Sequence, residues 1–471
     1  MAEKPPAGPN DLGEPVSVAA LSLADKATAP NAAAEQQIDP WSVSAATDEH
    51  GNILAFDYEA ISRKWNTKLI DDALLQRFES LTGHKPHRWL RRGLFFSHRD
   101  LESILDVYER GETFFLYTGR GPSSSSMHIG HTIPFEFTKW LQDVFDVPLV
   151  IMLTDDEKFL FKEDLKLEEV MGFARDNAKD IIAVGFDVKK TFIYSDLEFL
   201  GTAGKHMLLN AWEFSKGITF NQVRGAFGFD GSTNTGRIFF PNLQCVAAYA
   251  TSYPFIWSDD PLSPCAPKRP PQSHQDPYFR LLRDHTKSMS HKIPRPALIH
   301  SKFLTALQGA GGKMSASNPN SAIFMNDTAK SIKNKINKHA FSGGQETLEL
   351  HREKGGNPDV DVAYQYLTYF SDDDEKLERL ARDYRSGELL TGDMKKECIA
   401  LLQEYVGSFQ ERRKAVSEEV LNEFMRPRRL EWGGNPNPKK PPPKEGKEGK
   451  DGKDKKTAKA EKKSKEEAKG E

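Results

Sequence analysis

The sequence lacks the features that mark membrane-spanning, secreted and disulfide-bonded proteins. No run of about 18 apolar residues occurs in its 471 positions, so we expect no segment to span a membrane. Its beginning carries neither a basic segment followed by an apolar one nor an Arg-rich amphipathic stretch. The three cysteines, Cys245, Cys265 and Cys398, form no Cys-x-x-Cys pair. We therefore expect a reduced, cytoplasmic protein without a disulfide framework and without a metal site.

An excess of basic charge is also missing. Lys and Arg number 65 against 68 Asp and Glu, which gives a net charge of −3. This average hides a segregation, because thirteen lysines and eight acidic residues follow Trp432. A local basic face still suffices to bind nucleic acid, since contacts to phosphates are local. Two explanations of the terminal lysines stay open, a solvated solubility segment and weak attraction to RNA.

A turn rich in glycine and serine is the most informative stretch of the chain. Residues Tyr117–His131 spell Tyr-Thr-Gly-Arg-Gly-Pro-Ser-Ser-Ser-Ser-Met-His-Ile-Gly-His. The apolar run Thr113–Leu116 before it predicts a buried strand, and the apolar spacing over 129–145 predicts an amphipathic helix. Such a turn can offer the N–H groups of a helix N-terminus to an anion. It is not a Walker A loop, because His128 and His131 stand where Gly-Lys-Thr/Ser would be.

Three further motifs follow in order. They are Thr154–Lys158 (Thr-Asp-Asp-Glu-Lys), Gln275–Arg280 (Gln-Asp-Pro-Tyr-Phe-Arg) and Lys313–Ser317 (Lys-Met-Ser-Ala-Ser). Together with His-Ile-Gly-His, the set resembles the signatures of class I aminoacyl-tRNA synthetases, and among them the eukaryotic cytosolic tryptophanyl-tRNA synthetases. The resemblance runs from about Asp39 to about Leu430. It implies activation of L-tryptophan with ATP to tryptophanyl-adenylate, and transfer of the acyl group to tRNA(Trp).

Alternating strands and helices predict a Rossmann-like α/β domain. Leu149–Leu153 and Thr191–Tyr194 have the composition of buried strands, and Leu167–Val184 that of the helix between them. This alternation indicates a doubly wound parallel sheet, which binds ligands at the carboxyl ends of its strands. The turn after Leu116 and the Thr154–Lys158 turn both lie at such ends, so we expect them to meet.

Composition and resemblance together divide the chain into five parts. These are a disordered tail (1–38), an N-terminal extension of a hairpin and helices (39–110), the catalytic domain (111–318), an all-helical anticodon-binding domain (319–432) and a Lys/Glu-rich disordered tail (433–471). Predicted helices of the fourth part are Thr328–His339, Asp361–Phe370, Asp373–Arg385 and a long one from about Gly392.

Local signals predict several further elements. A hairpin turn is expected at His50–Asn52, and a helix from Asp71 to Leu81 that ends at Gly83. Another helix is predicted to start at Ser97, the expected N-cap. The prolines between 254 and 275 argue against a central strand there, although the resemblance implies an apolar strand leading into the motif at Gln275.

The resemblance implies which residues bind ATP. They are Arg120, Gly121, His128, Gly130, His131, Lys313, Met314 and Ser315, of which His128, His131, Lys313 and Ser315 are implied to be catalytic. Histidines in a helix's first turn can donate hydrogen bonds to phosphates, although helix capping is the alternative. Lys313 follows a flexible glycine-rich segment and can neutralise departing pyrophosphate. Ala316 replaces the second lysine of the class signature, as in tryptophanyl enzymes, and Mg²⁺ is expected with ATP.

The resemblance also implies a tryptophan pocket formed by Tyr117, Glu157, Gln244 and Gln275. An indole needs apolar walls and one acceptor for its N–H, which the Tyr117 hydroxyl would supply. Glu157 would hold the ammonium group, and the two glutamines the polar end. Met152 stands where relatives often have a polar residue that reaches the indole. For Tyr117 the alternative is a tyrosine of the strand core.

Three other functions remain open from the sequence. A tyrosyl-tRNA synthetase shares the expected fold, and so does a pantothenate-activating nucleotidyltransferase, which the long helical region disfavours. A non-catalytic RNA-binding or signalling paralogue is disfavoured by the retained histidines, Glu157 and Lys313. The resemblance further implies a homodimer.

Overall fold

The computed structural model describes residues 36–38, 43–44, 56–257, 271–273, 276–290, 294–309, 314 and 318–439. The expected hairpin turn at His50–Asn52 lies outside these residues, as do most of the predicted N-terminal tail and most of the proline-rich segment. No helix within the described ranges is long and apolar enough to cross a membrane.

The described part of the chain contains short strands, most of them in one sheet. They are β1 (Gln37–Ile38), β2 (Val43–Ser44), β3 (Lys68–Leu69), β4 (Phe95–Arg99), β5 (Leu116–Arg120), β6 (Leu149–Leu153), β7 (Thr191–Ser195), β8 (Pro271–Ser273) and β9 (Ala297–Ser301). Strands β1 and β2 pair with each other. The described strands β3 to β9 form a seven-stranded sheet in the order β3-β4-β9-β8-β5-β6-β7.

Helices surround this sheet and make up the C-terminal region. They are α1 (Tyr58–Trp65), α2 (Asp72–Thr82), α3 (Arg88–Arg91), α4 (Leu101–Glu109), α5 (Ile129–Phe145), α6 (Asp155–Phe161), α7 (Leu167–Ile182), α8 (Asp196–Thr202), α9 (Lys205–Gly217), α10 (Phe220–Phe227), α11 (Thr235–Val246), α12 (Pro254–Trp257), α13 (Asp276–His285), α14 (Ala329–His339), α15 (Leu348–Lys354), α16 (Val362–Phe370), α17 (Asp374–Arg385), α18 (Thr391–Lys414) and α19 (Glu418–Met425).

The doubly wound parallel arrangement predicted for the catalytic region is confirmed. Strands β9, β8, β5, β6 and β7 are parallel to one another, whereas β4 pairs with β9, and β3 with β4, in antiparallel orientation. Alternate residues of the central strands β5 and β6 belong to two different apolar clusters, one on each face of the sheet. Leu116 and Ile151 belong to one cluster, and Tyr117 and Met152 to the other. Both faces of the sheet are therefore buried, as is usual for parallel sheets.

The helix predicted to start at Ser97 is wrong. Residues Phe95–Arg99 form β4, in which Ser97 pairs with His300 of β9, and the helix α4 begins only at Leu101 with Asp100 as its N-cap. Serine followed by an acidic residue resembles a helix start, but the pairing of this segment with β9 overrides that local preference.

The exclusion of a central strand between 254 and 275 is also wrong. Residues Pro271–Ser273 form β8, which lies between β9 and β5 in the sheet. Gln272 pairs with Tyr117 on one side and with Leu298 on the other. Pro271 is compatible with this position because it is the first residue of the strand, where a missing N–H is tolerated.

The helices predicted for the C-terminal region agree with α14, α16, α17 and α18. Thr328, Asp361 and Asp373 are the N-caps of the first three. The region also contains the shorter helices α15 and α19. Helices α14, α16, α17, α18 and α19 pack on the same apolar cluster as α5, so the C-terminal region is joined to the sheet by a continuous core.

The predicted C-terminal tail begins at residue 433, but residues 433–439 are described and packed against the catalytic region. The N–H of Gly433 donates to Asp146 Oδ2 at 2.9 Å, and Asn435 Nδ2 donates to the Tyr108 carbonyl at 2.6 Å. Lys439 Nζ lies 2.6 Å from Glu109 Oε1. The packed part of the chain thus extends to Lys439, and residues 440–471 lie outside the described residues.

Candidate active site

The two motif-bearing turns meet at one edge of the sheet. Strands β5 and β6 end at Arg120 and Leu153, which are paired in register. The N–H of Thr154 donates to the Arg120 carbonyl at 2.9 Å, so helix α6 starts beside the glycine-rich turn. This carboxyl edge is where a doubly wound sheet binds its ligands.

The paired histidines lie at the start of α5. His128 is the N-cap, and its backbone N–H donates to His131 Nδ1 at 3.2 Å. The two rings stack with centroids 3.4 Å apart. Residues 323–325 run alongside, and the Ile129 N–H donates to the Ile323 carbonyl at 2.8 Å. The pair therefore contributes to the cap, the alternative that the sequence left open, while lying at the N-terminus that would face an anion.

Met314 connects the third motif with this turn. A Cβ added to Gly130 would lie 3.1 Å from Met314 Sδ, and Met314 is only 6% exposed. The Lys-Met-Ser-Ala-Ser segment therefore contacts the first turn of α5 through its methionine. Lys313 and Ser315, its neighbours, lie outside the described residues.

Arg120 is buried beneath the serine-rich turn. Its Nε donates to the side chain of Asn177 on α7, and its Nη2 has no hydrogen-bond partner among the described residues. Burial lowers the pKa of Arg120 to about 10. Asn177 also donates to the Ser124 carbonyl at 2.7 Å, and Asp180 accepts from the Met127 N–H at 3.4 Å.

Asn177 and Asp180 were not predicted, although both support the turn. The signal in the sequence is two polar residues on a helix face that otherwise carries Val170, Ala174, Ala178 and Ile181. Polar side chains on a buried face need partners, and here the partners are the turn and Arg120.

On the other side of β5, Tyr117 faces Met152 and Gln244. The Tyr117 hydroxyl lies 2.8 Å from Met152 Sδ and accepts from Gln244 Nε2 at 3.0 Å. Burial raises the pKa of Tyr117 well above its ordinary value, so the phenol is neutral. Gln244 Oε1 is buried and has no partner among the described residues. The structure brings together Tyr117, Gln244 and Met152, while Gln275 lies outside the described residues.

Glu157 lies in the first turn of α6, beside Gly121. Its Oε2 accepts from Thr154 Oγ1 at 2.7 Å and lies 3.0 Å from Lys158 Nζ. Lys158 thus pairs with Glu157 and not with either of the aspartates before it. The end of the Lys158 side chain lies against Gly121, where a Cβ would displace it.

Tyr278, which the sequence analysis did not select, is an additional candidate site residue. Its buried hydroxyl has no hydrogen-bond partner within the described ranges. Burial, and secondly the charge of Glu157, raise the pKa of Tyr278 well above its ordinary value. Tyr278 is part of the Gln275–Arg280 motif, and this motif is the sequence signal that could have identified it.

A cluster of carboxyl groups lies behind Glu157 and was not predicted. Asp155 accepts from the Ser195 hydroxyl and from the Leu197 N–H, which fixes α6 to the end of β7. The fully buried Asp196 lies close to Asp156, and neither of its carboxyl oxygens has a hydrogen-bond partner among the described residues. Burial raises the pKa of Asp156 to about 7 and that of Asp196 well above its ordinary value. The described residues contain no cluster of three or more His, Cys, Asp or Glu that could hold a metal ion.

Comparisons with known proteins agree with this arrangement. The family model for class I tRNA synthetases (W and Y) matches residues 109–406. The cytoplasmic tryptophan–tRNA ligase of Saccharomyces cerevisiae is 53% identical over 410 residues, which cover 87% of this chain and 93% of that protein. The corresponding ligase of Schizosaccharomyces pombe is 54% identical, with 84% and 99% covered.

A solved structure with the same fold is the tryptophanyl-tRNA synthetase from Giardia lamblia. It has a TM-score of 0.73 and 42% identity, and the match covers 78% of this chain and 95% of that one. The family model, the two ligases and this structure each span well over half of the chain. The chain therefore belongs to the class I tRNA synthetases of the tryptophan and tyrosine group, in the family of the cytoplasmic tryptophan–tRNA ligases.

Proposed function

We propose that this protein is a cytoplasmic tryptophan–tRNA ligase that charges tRNA(Trp). The tryptophan carboxylate attacks the α-phosphate of ATP, which forms tryptophanyl-adenylate and releases pyrophosphate. A terminal ribose hydroxyl of the tRNA then attacks the acyl carbon, and AMP leaves. The observation that carries the proposal is the meeting of the α5 turn, Met314 and Glu157 around one sheet edge in a chain whose relatives are named tryptophan–tRNA ligases.

ATP, as its Mg²⁺ complex, binds against the turn between β5 and α5. His128 and His131, with the backbone at Gly130, contact the phosphates from the helix N-terminus, where negative charge is favoured. Arg120 Nη2, which is buried and has no partner within the described residues, supplies a further donor. Gly121 allows the backbone to approach the nucleotide closely.

Three residues of the Lys-Met-Ser-Ala-Ser motif complete the ATP site. Met314 lies against Gly130, and Lys313 and Ser315 on either side of it bind the phosphates. The lysine charge stabilises the negative charge that develops on pyrophosphate. Because such transfers need little covalent help from protein, alignment and positive charge supply most of the catalysis.

Tryptophan binds between β5 and α11. The Tyr117 hydroxyl accepts the indole N–H, Glu157 holds the ammonium group, and Gln244 and Gln275 bind the polar end of the amino acid. Two buried polar atoms support this proposal, Gln244 Oε1 and the Tyr278 hydroxyl, for which the described residues provide no hydrogen-bond partner. Buried polar groups without protein partners are costly unless a ligand or water satisfies them.

Consecutive parts of the chain have different roles. Residues 39–110 form an N-terminal extension that contributes β3 and β4 to the sheet, 111–318 the catalytic domain, and 319–432 the anticodon-binding domain. Exposed Lys330, Lys333 and Lys338 on α14 offer positive charge to the tRNA backbone, whereas Lys335 is engaged by Asp327 at 2.6 Å.

The enzyme acts as a homodimer. Exposed apolar side chains are concentrated on α9 and the start of α10, where Leu209, Trp212 and Phe220 are 54%, 57% and 45% exposed. Monomeric proteins rarely expose such a group of large apolar residues, and a second copy of the chain would cover it.

ATP–pyrophosphate exchange with purified protein tests the proposed activity. We expect exchange in the presence of tryptophan, and none with tyrosine at the same concentration. Exchange with tyrosine in place of tryptophan would assign the chain to the other amino acid of its family. Absence of exchange with both would favour a non-catalytic paralogue.

A further inference from the structure

The Tyr117 hydroxyl has two hydrogen-bond partners among the described residues. A neutral phenol has one proton to donate and two lone pairs to accept with. Met152 Sδ, at 2.8 Å, carries no hydrogen and can only accept, so the phenol proton points to the sulfur. Gln244 Nε2, at 3.0 Å, donates to one lone pair. One lone pair of the hydroxyl is left for another donor.

The position of Met152 follows from the sheet register. Gly119 of β5 pairs with Met152 of β6, so the methionine side chain lies on the same face of the sheet as Tyr117. Both side chains are buried, with exposures of 0% for Met152 and 3% for Tyr117. The hydroxyl is thus shielded from water, and Met152 Sδ is the acceptor placed to hold its proton.

We propose that Met152 determines specificity by holding the Tyr117 hydroxyl as an acceptor toward the amino-acid ring. An acceptor of this kind favours a ring that presents an N–H and disfavours an isosteric ring without one. The inference rests on the proposed function, because it takes Tyr117 as the partner of the indole. Met152 is a positioning residue, since it acts through Tyr117.

The most direct measure of this role is the preference for tryptophan over its benzothiophene analogue. In this analogue sulfur replaces the ring N–H. The exchange kcat/KM for tryptophan divided by that for the analogue measures recognition of the N–H. Met152→Leu keeps the volume and removes the acceptor. The phenol proton is then free to turn toward the ring, and we expect the ratio to fall roughly three- to tenfold, the effect of one neutral hydrogen bond.

Two variants make the test independent of packing damage. Met152→Gln returns an acceptor oxygen to the same position, so its ratio should stay near that of the parent. Leu153→Met, a swap of the same kind on the opposite face of β6, should leave the ratio unchanged. An unchanged ratio in Met152→Leu, or equal losses in Met152→Leu and Met152→Gln, would overturn the proposal.

A double-mutant cycle with Tyr117→Phe separates this inference from the proposed function. Without the hydroxyl, Met152→Leu should have no further effect on the ratio, because Met152 acts only through it. If Met152→Leu lowers the ratio equally in both backgrounds, the methionine acts by packing and the inference fails. If Tyr117→Phe alone leaves the ratio unchanged, the assignment of Tyr117 fails, although tryptophan activation by the parent would still stand.

Discussion

At the scale of single residues, this site is built from polar groups whose partners are only partly supplied by the protein. Arg120 Nη2, Gln244 Oε1 and the Tyr278 hydroxyl are buried, and the described residues leave each of them without a hydrogen-bond partner. An unpaired buried polar atom costs on the order of 1–3 kcal/mol. We propose that these atoms bind groups of the substrates.

Lys313→Ala should lower the rate of adenylate formation on the order of 10²–10³-fold, as does the loss of one donor to developing charge. Tryptophan binding should change little, because the charge is needed mainly when pyrophosphate leaves. Stopped-flow measurement of the first turnover checks this, with Lys354→Ala as the control for removing an exposed lysine. A near-parental rate for Lys313→Ala would remove the lysine from its proposed role.

The Asp156–Asp196 pair predicts how stability depends on pH. Its pKa values are raised from the ordinary 3.8, to about 7 for Asp156, so the folded state keeps a proton that the unfolded chain has released in this window. Stability should therefore fall as the pH rises from about 4 to above 7. Each pKa unit corresponds to ~1.4 kcal/mol.

Asp196→Asn retains a donor to Asp156 and removes the second carboxyl, so melting temperature should fall less between pH 5 and pH 8 than in the parent. Asp155 and Glu157 also face this pair and keep a residual slope. The exposed Asp164→Asn serves as control. If the melting temperatures of the parent and of Asp196→Asn fall by the same amount between pH 5 and pH 8, the carboxyl pair does not cause the pH dependence.

At the scale of elements, predictions succeeded where the signal is local. Asp71 and Gly83 cap α2 as expected, and the apolar pattern of 129–145 gives α5. Predictions failed where pairing with a strand far away in the chain determines the secondary structure, as for Ser97, which pairs with β9. The Tyr117–Met152 contact depends likewise on the register of β5 with β6, which the sequence alone does not fix.

The first residues after Trp432 were assigned to the terminal tail by their composition, and this assignment was wrong. Their lysines, glycines and prolines resemble the terminal tail, yet residues 433–439 bind Asp146, Tyr108 and Glu109. Residues 433–439 contain no large apolar side chain, and their attachment depends on these hydrogen bonds and on the packing of Pro438 against Gly111, which hydrophobic periodicity cannot reveal.

Truncation should separate the two parts of this segment. A chain that ends after Lys439 should unfold at the same denaturant midpoint as the full chain. A chain that ends after Trp432 should be less stable by roughly 1 kcal/mol for each lost hydrogen bond. Tryptophan-dependent exchange should persist in the longer variant. Equal midpoints for the two truncations would mean that residues 433–439 do not stabilise the fold.

At the scale of the whole molecule, the helical region and the catalytic sheet are firmly joined. The Tyr405 hydroxyl of α18 donates to Thr132 Oγ1 at 2.6 Å and contacts Glu136, both on α5. Arg413, at the end of α18, binds Asp180 at 2.7 Å. Helices of the proposed tRNA-binding region therefore touch the same helix whose first turn carries the paired histidines.

The proposed homodimer predicts that one charge on α9 changes the assembly. Trp212→Glu should convert a dimer into a monomer at micromolar concentration, because a charge cannot be buried unpaired in an apolar interface. Sedimentation velocity measures this, with Leu348→Glu, an equally exposed apolar residue on α15, as control. A parent protein that sediments only as a monomer would refute the dimer.

The central claim, that this chain charges tRNA(Trp) with tryptophan, is tested most directly by aminoacylation of a total tRNA pool. The protein, MgATP and radiolabelled tryptophan are incubated with the pool, and the acylated tRNA is isolated and sequenced. We predict that label enters one tRNA species, with the anticodon for tryptophan. Absence of tryptophan acylation, or acylation of tRNA with tyrosine instead, would contradict the account.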